Sequence, residues 1–154
     1  MNNFIWGNDE HQYYETICGG TGATDANSGT DAVHSHMTNS RLTDPEVLEW
    51  RFPVRLDAFE IRRGSGGTGL HRGGDGVSRR VRFLEAMTAN IISGHRKISP
   101  YGLEGGGPGE TGNNWVEHED GTVTRLKGTD QIELKPGDVF VIETPGGGGY
   151  GHPN

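Results

Sequence analysis

The chain has 154 residues, a single cysteine and a net charge of −7, which fits one domain and excludes an internal disulfide. Leu, Ile, Val and Phe number 8, 8, 9 and 5, near the level below which a chain lacks the apolar surface to fold unaided. No apolar run approaches the roughly 18 residues of a membrane span, and no basic start followed by an apolar stretch marks a signal peptide, so a cytoplasmic protein with no membrane partner is expected.

The composition leaves two readings open, a loop-rich independent β domain or a piece of a larger assembly, because 27 glycines raise the entropy lost on folding. Charge is unevenly spread. Residues 51–82 carry eight arginines against Asp57, Glu60 and Asp75, a balance of +5, while residues 1–50 carry −7 and residues 83–154 carry −5. A basic band between acidic flanks favours a small anion or an acidic partner surface over nucleic acid, which the flanks repel.

In chain order, Cys18 comes first, ahead of Gly19-Gly20-Thr21-Gly22. A thiol at a glycine turn is either a nucleophile whose pKa a base has lowered or, more commonly, a buried inert residue. His34-Ser35-His36 places two imidazoles on one face if extended, with Asp31 and Asp44 nearby in sequence. The ligand count is short for a metal, and the glutamate that a cupin barrel would add is absent from Met37–Arg41, so no metal site is assigned to this chain. Thr43-Asp44-Pro45-Glu46 is a helix start, with a cap, a first-turn proline and an early acid; Val47, Leu48 and Trp50 follow on a short helix.

From Phe52 to Ala58 apolar and polar residues alternate as in a half-buried strand, and the phase then slips so that Phe59 and Ile61 become the apolar positions. One inserted residue near Ala58, a bulge, accounts for the slip. Residues 61–76 follow, with seven glycines among sixteen residues interleaved with Arg62, Arg63, His71 and Arg72. Backbone N–H groups and guanidinium forks in such a stretch suit an anion. Arg63, Ser65, Gly66, Gly67 and Arg72 are the candidate anion-binding residues. Val77, Val81 and Phe83 predict a second strand with Arg80 and Arg82 on its other face, continued after a turn by Ala86–Ile92. Phe59 and Phe83 are read as core.

Trp115–Glu119 and Thr122–Lys127 flank Asp120-Gly121, a strong hairpin signal. Lys135-Pro136-Gly137-Asp138 is a turn, and Val139–Ile142 a buried strand. Pro145 and Gly146–Gly149 then form either a flexible tail or a packed loop. The pattern G-x-G-x-x-G occurs at Gly64/Gly66/Gly69 and at Gly107/Gly109/Gly112, but neither copy has the strand before it and the helix after it that a dinucleotide site needs. There is no P-loop and no G-x-S-x-G elbow. The expected class is mainly β with short helices (α+β), with glycine-rich loops between antiparallel strands.

Several segments together resemble one family. They are Tyr13–Ala23 (YYETICGGTGA), Gly29–Asn39 (GTDAVHSHMTN), Glu60–Gly69 (EIRRGSGGTG) with Arg72–Gly76 (RGGDG), and Thr144–Gly151 (TPGGGGYG). Their order is similar to the carboxy-terminal part of hydantoinase B/5-oxoprolinase proteins, and residues 1–154 are identified as a partial domain of that kind, the amino-terminal portion being absent. The resemblance implies a component of an ATP-dependent cyclic-amide hydrolase that opens 5-oxoproline or hydantoin rings and is not active alone. It also implies a hydantoinase A-type partner, the missing B portion, an oligomeric assembly, and ATP and a divalent metal held by partner regions, with no cofactor bound by this chain. A non-catalytic structural remnant is the alternative. Within the cyclic-amide reading, His34 or His36 orients or deprotonates water, Asp31 fixes the imidazole tautomer, and Arg63, Arg72 and the N–H groups of Ser65–Gly67 stabilise developing negative charge.

Overall fold

Two antiparallel sheets face each other across one apolar layer in this computed structural model, which describes residues 1–35 and 39–153. In chain order the elements are β1 (Asn2–Gly7), β2 (Gln12–Thr16), α1 (Pro45–Arg51), β3 (Val54–Arg62), β4 (Gly76–Phe83) and β5 (Met87–Ser93). They continue with β6 (Asn113–Glu117), β7 (Val123–Leu126), β8 (Thr129–Leu134) and β9 (Val139–Glu143). The smaller sheet runs β2-β1-β5-β8 and the larger β3-β4-β9-β6-β7.

Local chemistry explains several elements. The Asp44 carboxylate accepts from the Glu46 N–H and Pro45 opens α1, so the helix starts where its cap is; only Leu48 of its face is buried, and Trp50 is 84% exposed. The pairing of β3 with β4 shifts register between Leu56 and Ala58, placing the bulge at Asp57 beside the predicted site. Gly121 (φ 83°) and Gly137 (φ 94°) take left-handed backbone in the two predicted turns, where an L side chain is strained.

Two expectations are corrected. Ala86–Ile92 does not extend β4; β5 crosses to the other sheet and pairs with β1 and β8. The chain can switch because Phe83 and Met87, either side of the turn, are both buried, so one apolar layer receives residues from both sheets. Phe59 is not core: it is 43% exposed, on β3, which lies at the edge of its sheet. Its ring instead lies 5.1 Å from the Arg79 guanidinium carbon.

The core is built from alternate residues of facing strands. The Phe4 and Phe140 rings, from opposite sheets, are 4.6 Å apart, and Trp6 meets Tyr13, Phe52 and Phe83 at 4.9, 5.3 and 5.5 Å. Strand β9, the middle strand of the larger sheet, is buried on both faces. Its outward Val139 and Val141 sit beside Arg82 and Arg80 on one side and Glu117 and Trp115 on the other. Arg80 and Glu117 form an ion pair across β9, so aliphatic stems roof these valines while the charges reach water.

One ion pair joins the sheets inside the core. Arg79 of β4 donates from Nε to Glu15 Oε1 (2.7 Å) and from a terminal nitrogen to Oε2 (3.0 Å), and Glu15 belongs to β2. Both side chains are at most 4% exposed. Removing one partner strands the other charge, which costs about 3–5 kcal/mol, whereas an apolar pair of similar volume is often neutral. Glu15→Ala is therefore expected to lower stability by about 3–5 kcal/mol in urea denaturation, and Glu15→Leu with Arg79→Met to recover most of that loss. Equal losses in the single and double variants would show that the pair's charge is not what matters.

Candidate functional site

The glycine-rich segments converge beside the sandwich into a bundle of extended chains. Pro145–Gly149 runs through its middle, and Gly146–Gly149 are all buried, so this segment is packed and is not a flexible tail. A methyl group on Gly146 would overlap the Ser65 carbonyl, on Gly147 that of Thr21, on Gly148 that of Tyr101, and on Gly149 that of Thr68. Positions 146 and 149 thus meet the same neighbouring segment. A contact that returns every third residue marks a helix of the polyproline II type, with three residues per turn. Glycines of the two G-x-G-x-x-G motifs pack here, Gly66, Gly67, Gly69 and Gly109 against backbone and Gly107 against the Thr68 side chain.

Asp75 anchors the loop that enters this bundle. It is 3% exposed and accepts from the N–H of Gly66 (2.7 Å), the N–H of Gly64 (3.2 Å) and the Arg72 guanidinium (2.9 Å). Arg72 also donates to Asp31 (2.8 Å), and the same Asp31 oxygen accepts from the Asp75 N–H (2.7 Å). Burial alone would push the Asp75 carboxyl up, but the two glycine N–H groups and Arg72 outweigh it and hold its pKa below the usual carboxylate value.

This geometry relocates most of the expected anion site. The donors of Gly66 and Arg72 already hold carboxylates of this chain, and the Gly67 N–H donates to the Gly147 carbonyl at 2.8 Å. The buried Ser65 hydroxyl accepts from the Gly76 N–H at 2.9 Å. The positive, donor-rich loop predicted from sequence is thus wrapped around an internal anion. Arg63 alone stays exposed with no side-chain partner among the described residues. Sequence reasoning passed over Asp75 as a site residue, although an acid set among glycines and arginines was the available signal.

His34 lies elsewhere, in a cleft of about 320 Å³ lined also by Cys18, Arg41, Phe59, Glu60 and Val77. Both of its ring nitrogens are shielded from solvent and have no hydrogen-bond partner among the described residues. Buried polar atoms without partners are rare and call for an explanation. Desolvation lowers the imidazole pKa and so favours the neutral ring, with one donor and one acceptor. No hydrogen bond joins Asp31 to it; one oxygen of that carboxylate instead accepts from Arg72 and the Asp75 N–H. His36 lies outside the described residues. Burial raises the Cys18 thiol pKa, which favours the protonated thiol over a nucleophilic thiolate. Among the described residues no group of three or more His, Cys, Asp or Glu side chains is gathered to hold a metal, and no helix is long and apolar enough to cross a membrane.

A family model described as hydantoinase B/oxoprolinase matches residues 1–153. The chain is 46% identical over 151 residues to 5-oxoprolinase 1 of Arabidopsis thaliana, covering 98% of this chain and 12% of that protein. It is 52% identical over 146 residues to 5-oxoprolinase of Saccharomyces cerevisiae, covering 90% and 11%. It thus spans well under a quarter of these relatives. In fold it is similar to a nucleotide-free acetone carboxylase structure, with a TM-score of 0.82 and 22% identity over 98% of this chain and 25% of that one. An ATP-dependent caprolactamase from Pseudomonas jessenii gives a TM-score of 0.79 and 24% identity over 97% and 28%.

Asp75→Ala removes the acceptor of two loop N–H groups, an unpaired-donor cost of about 1–3 kcal/mol. A loss of that size is expected at pH 7 in urea denaturation. Because the folded carboxyl has a lowered pKa, its stabilisation is full above the usual carboxylate range and fades as pH falls through the folded value. The gap between parent and Asp75→Ala should therefore narrow on acidification. A gap independent of pH would show that the carboxylate charge does not hold this loop.

Proposed function

Since the chain belongs to the hydantoinase B/oxoprolinase family, we propose that it is a component of an ATP-dependent hydrolase of cyclic amides such as 5-oxoproline or hydantoins, working with an A-type partner and a further B-type portion. The observation that carries this reading is the match along residues 1–153, with 45–52% identity to 5-oxoprolinases. Its share of those relatives, 11–12%, is why the chain is read as a contributor that is inactive alone. ATP and a divalent metal would be held by partner regions.

Within this reading His34 is the residue that acts. A neutral imidazole in a shielded cleft is suited to orient a water or an amide N–H, or to take a proton from it, and such general-base help is worth about 10²–10⁴ in rate. Its hydrogen-bonding positions, without a partner among the described residues, are those a substrate, a water or a partner residue would fill. Arg63 is the one predicted anion contact left available to a partner or to a developing negative charge. Arg72, Gly66 and Gly67 hold the loop in place, and in this reading their contribution is to folding.

A second reading, a non-catalytic structural piece of the same assembly, is favoured by one observation: the donors of residues 64–67 and Arg72 are spent within the chain. One experiment separates the two. Co-expressed with an A-type partner and the rest of a B-type protein, the chain is expected to support ATP-coupled 5-oxoproline cleavage. His34→Gln is expected to lower kcat by about 100-fold or more with an unchanged urea midpoint. A full rate in His34→Gln would favour the structural reading, and absence of any ATP-coupled cleavage by the reconstituted parent would reject the cyclic-amide assignment.

A further inference from the structure

The central segment 145–149 has neighbours on five sides, and their hydrogen bonds follow the threefold period. On the carbonyl side, Gly67 N–H donates to Gly147, the N–H groups of Gly20 and Ala23 donate to Pro145 and Gly148, and Leu103 N–H donates to Gly149. Segments 65–68, 20–23 and 101–103 thus fill the three carbonyl-facing positions. They run parallel to 145–149, since rising numbers meet rising numbers.

On the N–H side the pattern is incomplete. Gly146 and Gly149 donate to Glu110 and Gly107, and Gly147 donates to Gly74. Segments 107–110 and 73–74 therefore fill two donor-facing positions, and both run antiparallel, as Gly107 with Gly149, Glu110 with Gly146 and His71 with Tyr150 demonstrate. The third direction belongs to residues 145 and 148. Pro145 has no N–H, and the Gly148 N–H has no hydrogen-bond acceptor among the described residues.

The two filled donor-side segments each lie between two carbonyl-side ones. Segment 73–74 donates to Gly67 and Thr21, and segment 107–109 donates to Thr68 and Pro100. By the same rotation the third must lie between 20–23 and 101–103. There the structure has a groove of about 960 Å³, walled by residues 19–24, by Pro100, Tyr101 and Leu103, and floored by residues 145–149. Met1 and His95 also border it, and no Asp, Glu, Lys or Arg side chain lines it among the described residues.

We propose that this groove is the vacant sixth position of the glycine bundle and receives an uncharged extended segment, antiparallel to residues 145–149, whose backbone carbonyl accepts from the Gly148 N–H. The spacing of its residues is set by the segment already filling an equivalent position. There Gly106 and Gly109 face the centre, and a methyl on either would overlap the backbone of Gly149 or Gly146. The occupant therefore carries glycine at every third residue, Gly-x-x-Gly. Walls without Asp, Glu, Lys or Arg side chains and the small share of the relatives' length spanned by this chain (11–12%) point to the rest of the B-type protein as its source. This rests on the reading that a B-type portion joins the chain, and is tested without the enzymatic assay.

The probe is a capped peptide, acetyl-Gly-Ser-Thr-Gly-Ser-Thr-Gly-amide, titrated at millimolar concentration against the isotopically labelled chain and followed by amide NMR. Shifts are expected in residues 19–24, 100–103 and 145–149, together with slowing of Gly148 amide exchange by about tenfold or more. The same peptide with alanine replacing each glycine should give neither effect. Gly22→Leu supplies a second control: a side chain there has only the Gly148 carbonyl within 4 Å, at 3.8 Å, so the variant should keep its urea midpoint yet lose peptide binding. No response to the glycine peptide, equal response to the alanine peptide, or a Gly148 amide already protected in the free chain would overturn the proposal. Equivalent shifts with 5-oxoproline would overturn it in favour of a small-molecule site, whatever the outcome of the hydrolysis assay.

Discussion

Backbone-to-backbone contact around residues 145–149 is the constraint on which this structure turns. Each glycine there faces a carbonyl with no space for a methyl group, so the segments approach more closely than side chains ever permit. Such contact is bought with chain entropy, since glycine loses the most freedom on folding. Hydrogen bonds crossing between segments offset that loss, and few side chains contribute. This resolves the tension in the composition: a chain poor in large apolar residues makes one conventional core between its sheets and a second packed region from polypeptide backbone.

The two regions are tied together. Strand β9 passes from the sandwich into Pro145–Gly149, and β3 and β4 flank the loop that carries Gly66, Gly67 and Asp75. Thr144, at the junction, takes the Val77 N–H on its hydroxyl and donates its own N–H to the Val77 carbonyl, both at 2.8 Å. Asp75 closes the loop from the other side by holding Gly64, Gly66 and Arg72. The concentration of positive charge in residues 51–82 is thereby largely internal. Arg79 meets Glu15, Arg72 meets Asp31 and Asp75, Arg80 meets Glu117 and Arg82 meets Asp57. A basic band between acidic flanks in sequence becomes, for most of its arginines, a set of ion pairs in space, with Arg51 and Arg63 left over among the described residues.

For function, the consequence is a division of labour. The donors of the motif richest in apparent anion-binding character are engaged within the chain, while the plainer His-Ser-His segment contributes His34, whose ring nitrogens have no hydrogen-bond partner among the described residues. Under the cyclic-amide reading, the chain offers a rigid frame, one candidate proton-handling group and a slot for another segment, and the nucleotide chemistry lies with partner regions. The frame suits that role because a bundle without side-chain rotamers has little internal freedom.

The sequence alone determined what depends on neighbours in the chain. The α1 cap at Asp44-Pro45, the Asp120-Gly121 hairpin, the 135–138 turn, the bulge near Ala58 and strands β4 and β9 all rest on local dihedral preference or two-residue alternation, which short windows carry. The family is legible for a related reason, since ordered motifs survive in the linear text. Tertiary structure decided the rest. Pairing of β5 with β1 and β8, exposure of Phe59, burial of Arg79 against Glu15, and capture of Arg72 by Asp31 and Asp75 all join residues distant in sequence, and no local pattern encodes which charge meets which. The glycine bundle is the extreme case: a glycine spells close approach in the sequence, but only the assembled fold says to what.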